Sequence, residues 1–99
     1  MFYVKIHRHK GELLVAACDK NLLGKTLADG ELELEVKESF YGGELKDAEE
    51  LVSLIREATM ANLVGNNAVD EVIKKGYVNP ENTITIGGVK HAQYALMED

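Results

Sequence analysis

Apolar and polar residues alternate from Phe2 to Arg8, with Phe2, Val4 and Ile6 on one side and Tyr3, Lys5 and His7 on the other. That is the period of a strand with one buried face, and it predicts a first strand over residues 2–8. Lys10 and Gly11 supply a turn. Leu13 to Cys18 is then apolar at every position, which predicts a strand over 12–18 covered on both faces and so central in its sheet. The two runs together read as a hairpin. A third strand is predicted over 31–37, where Leu32, Leu34 and Val36 point inward and Glu31, Glu33, Glu35 and Lys37 outward.

The period then changes. Asp47, with Glu50 three residues on, is a helix N-cap, and Ala48, Leu51, Val52, Ile55, Ala58 and Thr59 recur at helical spacing. They predict a helix over 47–61, whose last turn places Asn62 on the buried face. Asn66 or Asn67 is expected to cap a second helix over 67–75, with Val69, Val72 and Ile73 on its apolar side and Gly76 ending it. Strands over 83–86 and 89–96 flank Gly87 and Gly88, a two-residue hairpin signal that pairs Ile86 with Val89 and Ile84 with His91. The expected fold is one α+β domain over residues 1–99: a small antiparallel sheet of about five strands (β-β-β-α-α-β-β) covered by a helical hairpin.

Composition narrows the function classes. The chain has 99 residues and a net charge of −6. No apolar run is long enough to cross a bilayer and the N-terminus lacks a signal-peptide pattern, so a cytoplasmic protein is expected. The charge is uneven: residues 1–25 carry Lys5, Arg8, Lys10, Lys20 and Lys25 against Glu12 and Asp19. From Asp29 to Glu50, nine carboxylates face only Lys37 and Lys46. An acidic chain is repelled by a phosphate backbone, so any RNA or protein contact must be localised, and Tyr3, Lys5 and Arg8 on the basic first strand are the candidates. A homodimer is a further reading.

Motif chemistry is sparse. Gly24, Lys25 and Thr26 mimic the tail of a phosphate-binding loop, but Asp19 stands where that loop needs glycine and no apolar helix follows; a connecting turn is expected. Asp19 itself is read as the cap of a helical turn through Asn21–Leu23. Cys18 reads as a buried, inert thiol. The three glutamates of 31–35 lie nearly 7 Å apart along one strand face, too far to share an ion without other ligands. His7 and His9 share a face but lack a metal-site spacing, and no cofactor motif is present. His91 and Gln93 share a face with isoleucines; such a histidine is either a satisfied core group or a site residue. Gly42 and Gly43 mark a turn beside Phe40 and Tyr41, one of which staples the loop to the core while the other is free to contact a ligand.

The segments GELLVAACDKNLLGKT, GELELEVKESFYGGEL, ATMANLVGNNAVDEVI and ENTITIGGVKHAQ resemble the short archaeal family catalogued as domain of unknown function 424, over nearly the full length. The SFYGGE turn, the ANLVG turn and the IGGVKHAQ hairpin are its most specific parts. The resemblance implies an archaeal, cytoplasmic protein and no mechanism. Both lines converge on Tyr41, Gly42, Gly43, Asn62, Asn66, His91 and Gln93 as candidate binding residues. Without a recognisable nucleophile, metal cluster or carboxylate pair, the expected function is a binding module, with RNA or a ribonucleoprotein as a possible partner. The alternatives are a small enzyme or small-molecule binder using His91, and a self-associating structural protein.

Overall fold

The structure is a computed structural model and describes residues 1–95. β1 (Phe2–His9) and β2 (Glu12–Asp19) form the expected antiparallel hairpin, each strand running one residue beyond its predicted end. Val15 to Cys18 of β2 are wholly buried, as an apolar run covered on both faces must be.

The next segment departs from expectation. After a 3-10 turn (Lys20–Leu22), the chain forms a hairpin of β3 (Thr26–Asp29) and β4 (Leu32–Glu35), separate from the main sheet. The connecting turn expected at Thr26 is therefore a strand, and the strand expected over 31–37 lies on top of the sheet rather than in it. β3 was hidden because Leu27 is its one large apolar residue. Leu27 and Leu34 form the hairpin's inner side and pack against the buried cluster that contains Cys18, Val36, Tyr41 and Val64, while Leu32, expected inside, is 55% exposed. A one-turn helix α1 (Glu38–Tyr41) and a short strand β5 (Glu44–Lys46) follow.

Helix α2 (Ala48–Glu57) opens with the expected capping box: Asp47 Oδ1 accepts from Glu50 N at 2.8 Å, and Glu50 Oε1 accepts from Asp47 N at 3.3 Å. It ends at Glu57, not residue 61, and Met60–Val64 is strand β6. Thr59 makes the switch. Its N–H donates to Leu13 O at 2.9 Å, and its hydroxyl both donates to Leu13 O at 3.1 Å and accepts from Leu13 N at 2.8 Å. The chain is thereby pinned beside β2, and β6 pairs with β2 in parallel, Ala16 opposite Asn62 and Cys18 opposite Val64.

Helix α3 (Asn66–Lys74) is not capped by Asn66 or Asn67. Gly65 is the N-cap, at φ 122°, and the exposed amides are taken by Asp19, whose carboxylate accepts from Asn67 N at 3.1 Å and Ala68 N at 2.8 Å. Asp19 thus caps α3 from the end of β2 and makes no side-chain cap to the 3-10 turn beside it. A Cβ at position 65 would overlap that carboxylate, so glycine is required for the approach as well as the angle. β7 (Thr83–Ile86) and β8 (Val89–Ala95) form the expected hairpin in the expected register; position 96 lies outside the described residues.

The result is an α+β fold with, among the described residues, eight strands in two sheets. The main sheet runs β5-β1-β2-β6-β8-β7 and is antiparallel except for β2–β6. α2 and α3 cover one face, joined through β6 rather than as a helical hairpin, and enclose Phe2, Val4, Val15, Ala17, Leu51, Ile55, Leu63, Val69 and Val72. The β3–β4 hairpin and α1 cover part of the other face, over Ala16, Cys18 and Val64. Among the described residues no helix is long and apolar enough to cross a membrane.

Candidate functional site

The strand registers lay out the face opposite the helices in cross-strand rows. One row reads Ile84, His91, Val64, Cys18, Tyr3, Leu45; the next reads Gln93, Asn62, Ala16, Lys5; the third reads Ala95, Met60, Leu14, His7. The middle of the first row, Val64 and Cys18, is buried under the β3–β4 hairpin and α1, while Ile84 and Leu45 at its ends are exposed. Beside the second and third rows lies an open cavity of about 380 Å³, lined by Leu14, Met60, Asn62, Gln93 and Ala95 and by the intervening Ala61 and Tyr94. A groove of about 490 Å³ between α2 and α3 is larger, but Glu49, Arg56, Glu71, Lys74 and Lys75 make it a solvated helix seam.

At the border of covered and open surface, three predicted residues meet. Tyr41 Oη donates to Asn62 Oδ1 at 2.5 Å, and His91 Nε2 lies 3.1 Å from the same oxygen. An amide oxygen only accepts, so His91 carries its proton on Nε2. Burial holds the His91 pKa below its usual 6.5, favouring the neutral ring. Burial, with Cys18 nearby, pushes the Tyr41 phenol well above its ordinary range, keeping the hydroxyl a donor. With its oxygen held from two sides, Asn62 has an oriented NH₂ group. That group makes no hydrogen bond to another described residue, and no described side-chain nitrogen is buried without a partner. Gln93 is the cross-strand neighbour of Asn62 and is exposed.

The other predicted residues lie apart. Asn66 works at the far end of β8, accepting from Lys90 N at 2.9 Å and donating to Gly88 O at 3.3 Å, so it fastens the β7–β8 turn to α3. Gly42 and Gly43 are packing positions. A Cβ on Gly42 would stand 2.5 Å from Glu38 O, and one on Gly43 would overlap the carbonyl of Val4. Between Phe40 and Tyr41, the staple is Tyr41, 3% exposed. Phe40 is stacked on His7, ring centroids 4.8 Å apart, while His7 Nε2 lies 2.8 Å from Phe40 O. Alternation places Arg8 on the opposite face from Tyr3 and Lys5, and the Lys5 ammonium donates to Ser39 O at 2.9 Å. Cys18 is wholly buried, its thiol pushed up to about 12 by burial and the Asp19 charge.

Sequence reasoning missed Leu14 and Met60 as cavity residues. Leu14 belongs to a run with no polar face to single it out, and Met60 was assigned to a helix. The signal that finds them is the β2–β6 register, which exists only once Met60–Val64 is recognised as a strand.

No curated protein matches this chain. Among solved structures, it is similar to an uncharacterized conserved protein from Methanopyrus kandleri, at 25% identity and a TM-score of 0.78, over 99% of this chain and 95% of that one. The model of the family described as "Protein of unknown function (DUF424)" matches residues 7–97, and the chain belongs to that family.

Proposed function

We propose that the protein is a non-catalytic binding module whose ligand seats over Asn62 and Gln93 on the open part of the sheet face. The observation that carries this reading is the Asn62 amide. Two neutral donors, Tyr41 and His91, fix its oxygen, and Asn62 lines a cavity together with Leu14 and Met60. A pre-oriented donor beside apolar walls suits a small molecule or chain end carrying a carbonyl or carboxylate next to an apolar portion. Binding is favoured over catalysis because the groups with reactive potential are engaged elsewhere. Cys18 is sealed in the core, the Tyr41 phenol stays protonated, and the His91 N–H is spent on Asn62.

Asn62→Asp is the sharp test. A carboxylate of the same shape still accepts from Tyr41 and His91 but cannot donate. Small carboxylic acids and amides, titrated into isotopically labelled protein, should shift the amide signals of Leu14, Met60, Asn62 and Gln93, and the shifts should vanish in Asn62→Asp while the rest of the spectrum is retained. Equal binding by both proteins, or no shifts at those residues, overturns the reading.

A further inference from the structure

β1 has eight residues, but β5 pairs only with Phe2, Val4 and the residue between them, so no described strand covers the outer edge of β1 from Lys5 to His9. An uncovered edge presents unpaired backbone N–H and C=O groups, and a long one is usually guarded by a bulge, a proline, a covering segment or charged side chains; of these, this edge has the charges of Lys5, Arg8 and Lys10, which repel a second copy of itself. Gly43 packs against the start of this flank, at Val4 and Lys5, and beyond it no described strand pairs with β1. A groove of about 300 Å³ opens where the uncovered stretch begins, lined by Lys5 and Ile6 of that stretch together with Val4, Gly43, Glu44, Lys46 and Leu54. Ile6 at its floor is 38% exposed, although it lies on the helix-covered face with Phe2 and Val4. The opposite edge, β7, has four residues and lies against the β3–β4 hairpin.

We propose that this edge docks an extended acidic segment of a partner protein, added to the sheet as a further strand beside Lys5–His9. The charges select the occupant. From Lys5 to Lys10 the chain carries Lys5, Arg8 and Lys10 and no carboxylate. Glu44, the acid lining the groove, lies 3.1 Å from Lys46, which Glu50 also approaches at 3.7 Å, so the cations that select the occupant are those of Lys5, Arg8 and Lys10. The Lys5 ammonium is held by a neutral carbonyl, that of Ser39, so its charge is not cancelled. A second copy pairing β1 with β1 would set these cations against one another. RNA fits less well, because an edge offers a ladder of backbone groups and an apolar slot at Ile6 and Leu54, whereas the nearby Phe40 ring is already stacked on His7. The uncovered edge spans roughly 15 Å, so the contact belongs to the weak, transient class.

The probe is a short labelled peptide of alternating glutamate and valine, compared with the same peptide N-methylated on alternate backbone nitrogens. Polyuridylate and the unmixed protein serve as competing arms. The proposal expects the unmethylated peptide to bind, shifting the amide signals of Ile6 to His9. Methylation should abolish that binding, and Arg8→Glu combined with Lys10→Glu should weaken it by about tenfold or more. Arg8 and Lys10 are exposed, so the double variant keeps the fold. Failure of the peptide to bind, indifference to methylation, preferential shifts with polyuridylate, or concentration-dependent self-association through the same residues would each overturn the proposal. None of these outcomes touches Asn62, so the cavity reading stands or falls separately.

Discussion

Three polar side chains on one sheet face show how single residues carry both structure and pH response. Asn62 sits half-buried in an interior strand, where an enclosed amide oxygen costs stability unless it is bonded, and Tyr41 and His91 supply the bonds to that oxygen from a one-turn helix and a neighbouring strand. For His91 the folded pKa is depressed below 6.5 by burial. Above that value neither the folded nor the unfolded chain holds the proton. As pH falls through 6.5, the unfolded chain takes up a proton that the folded chain resists, so stability is lost between 6.5 and the lower folded value. Urea unfolding at a series of pH values should show this decline, and His91→Gln, which keeps a donor for Asn62, should flatten it. An unchanged slope in the variant would mean that another group titrates. Asp19 makes the same point about sequence distance: a carboxylate that reads as the cap of its own neighbours instead holds two amides of α3, where the helix dipole also favours it.

At the scale of elements, what was legible was whatever carried a period, an unbroken apolar run or a turn signal in its own residues. β1, the β1–β2 hairpin, the start of α2 and the Gly87–Gly88 hairpin register all carry a period or a turn signal in their own residues. β6 carries neither. Its helix side holds Ala61 and Leu63 and its other side Met60, Asn62 and Val64, of which only Asn62 is polar, so no alternation survives, and the apolar spacing of α2 runs smoothly into it. What ends the helix is a contact with Leu13, 46 residues away in sequence, which no local pattern announces. The candidate site inherits this blindness: Tyr41, Asn62 and His91 were singled out by residue type, but the cavity beside them depends on the β2–β6 register. Thr59→Val tests the pin. The shape is kept, Leu13 N loses its hydroxyl acceptor, and the cost of an unsatisfied, part-buried donor is about 1–3 kcal/mol. Urea unfolding reads the loss, with faster hydrogen exchange at Leu13. A variant as stable as the parent would show that β6 is held by its ladder alone.

For the whole molecule, the sheet has two covers of different kind. The helical cover is woven into the chain order, since β6 lies between α2 and α3 in sequence and beside β2 in space. The β3–β4 cover is an excursion that begins and ends at one place: Gly24 N donates to Val36 O at 2.8 Å, and Val36 N to Lys25 O at 2.8 Å. Removing residues 26–35 and closing the gap with a short glycine-serine turn therefore requires no displacement of Leu22 or Val36. The shortened protein should keep the helix-side core and its helical circular dichroism. It should lose the packing of Leu27 and Leu34 against the cluster that contains Cys18, Val64 and Tyr41. Cys18 reports the difference, because its thiol is wholly buried and pushed up to about 12 in the intact chain. A thiol becomes nucleophilic only as thiolate, so reduced burial should make Cys18 alkylate readily in the folded, shortened protein and hardly at all in the intact one. If the shortened chain does not fold, the two covers enclose one indivisible core. If it folds with Cys18 still unreactive, α1 and Leu22 alone shield that face, and the hairpin's role lies elsewhere.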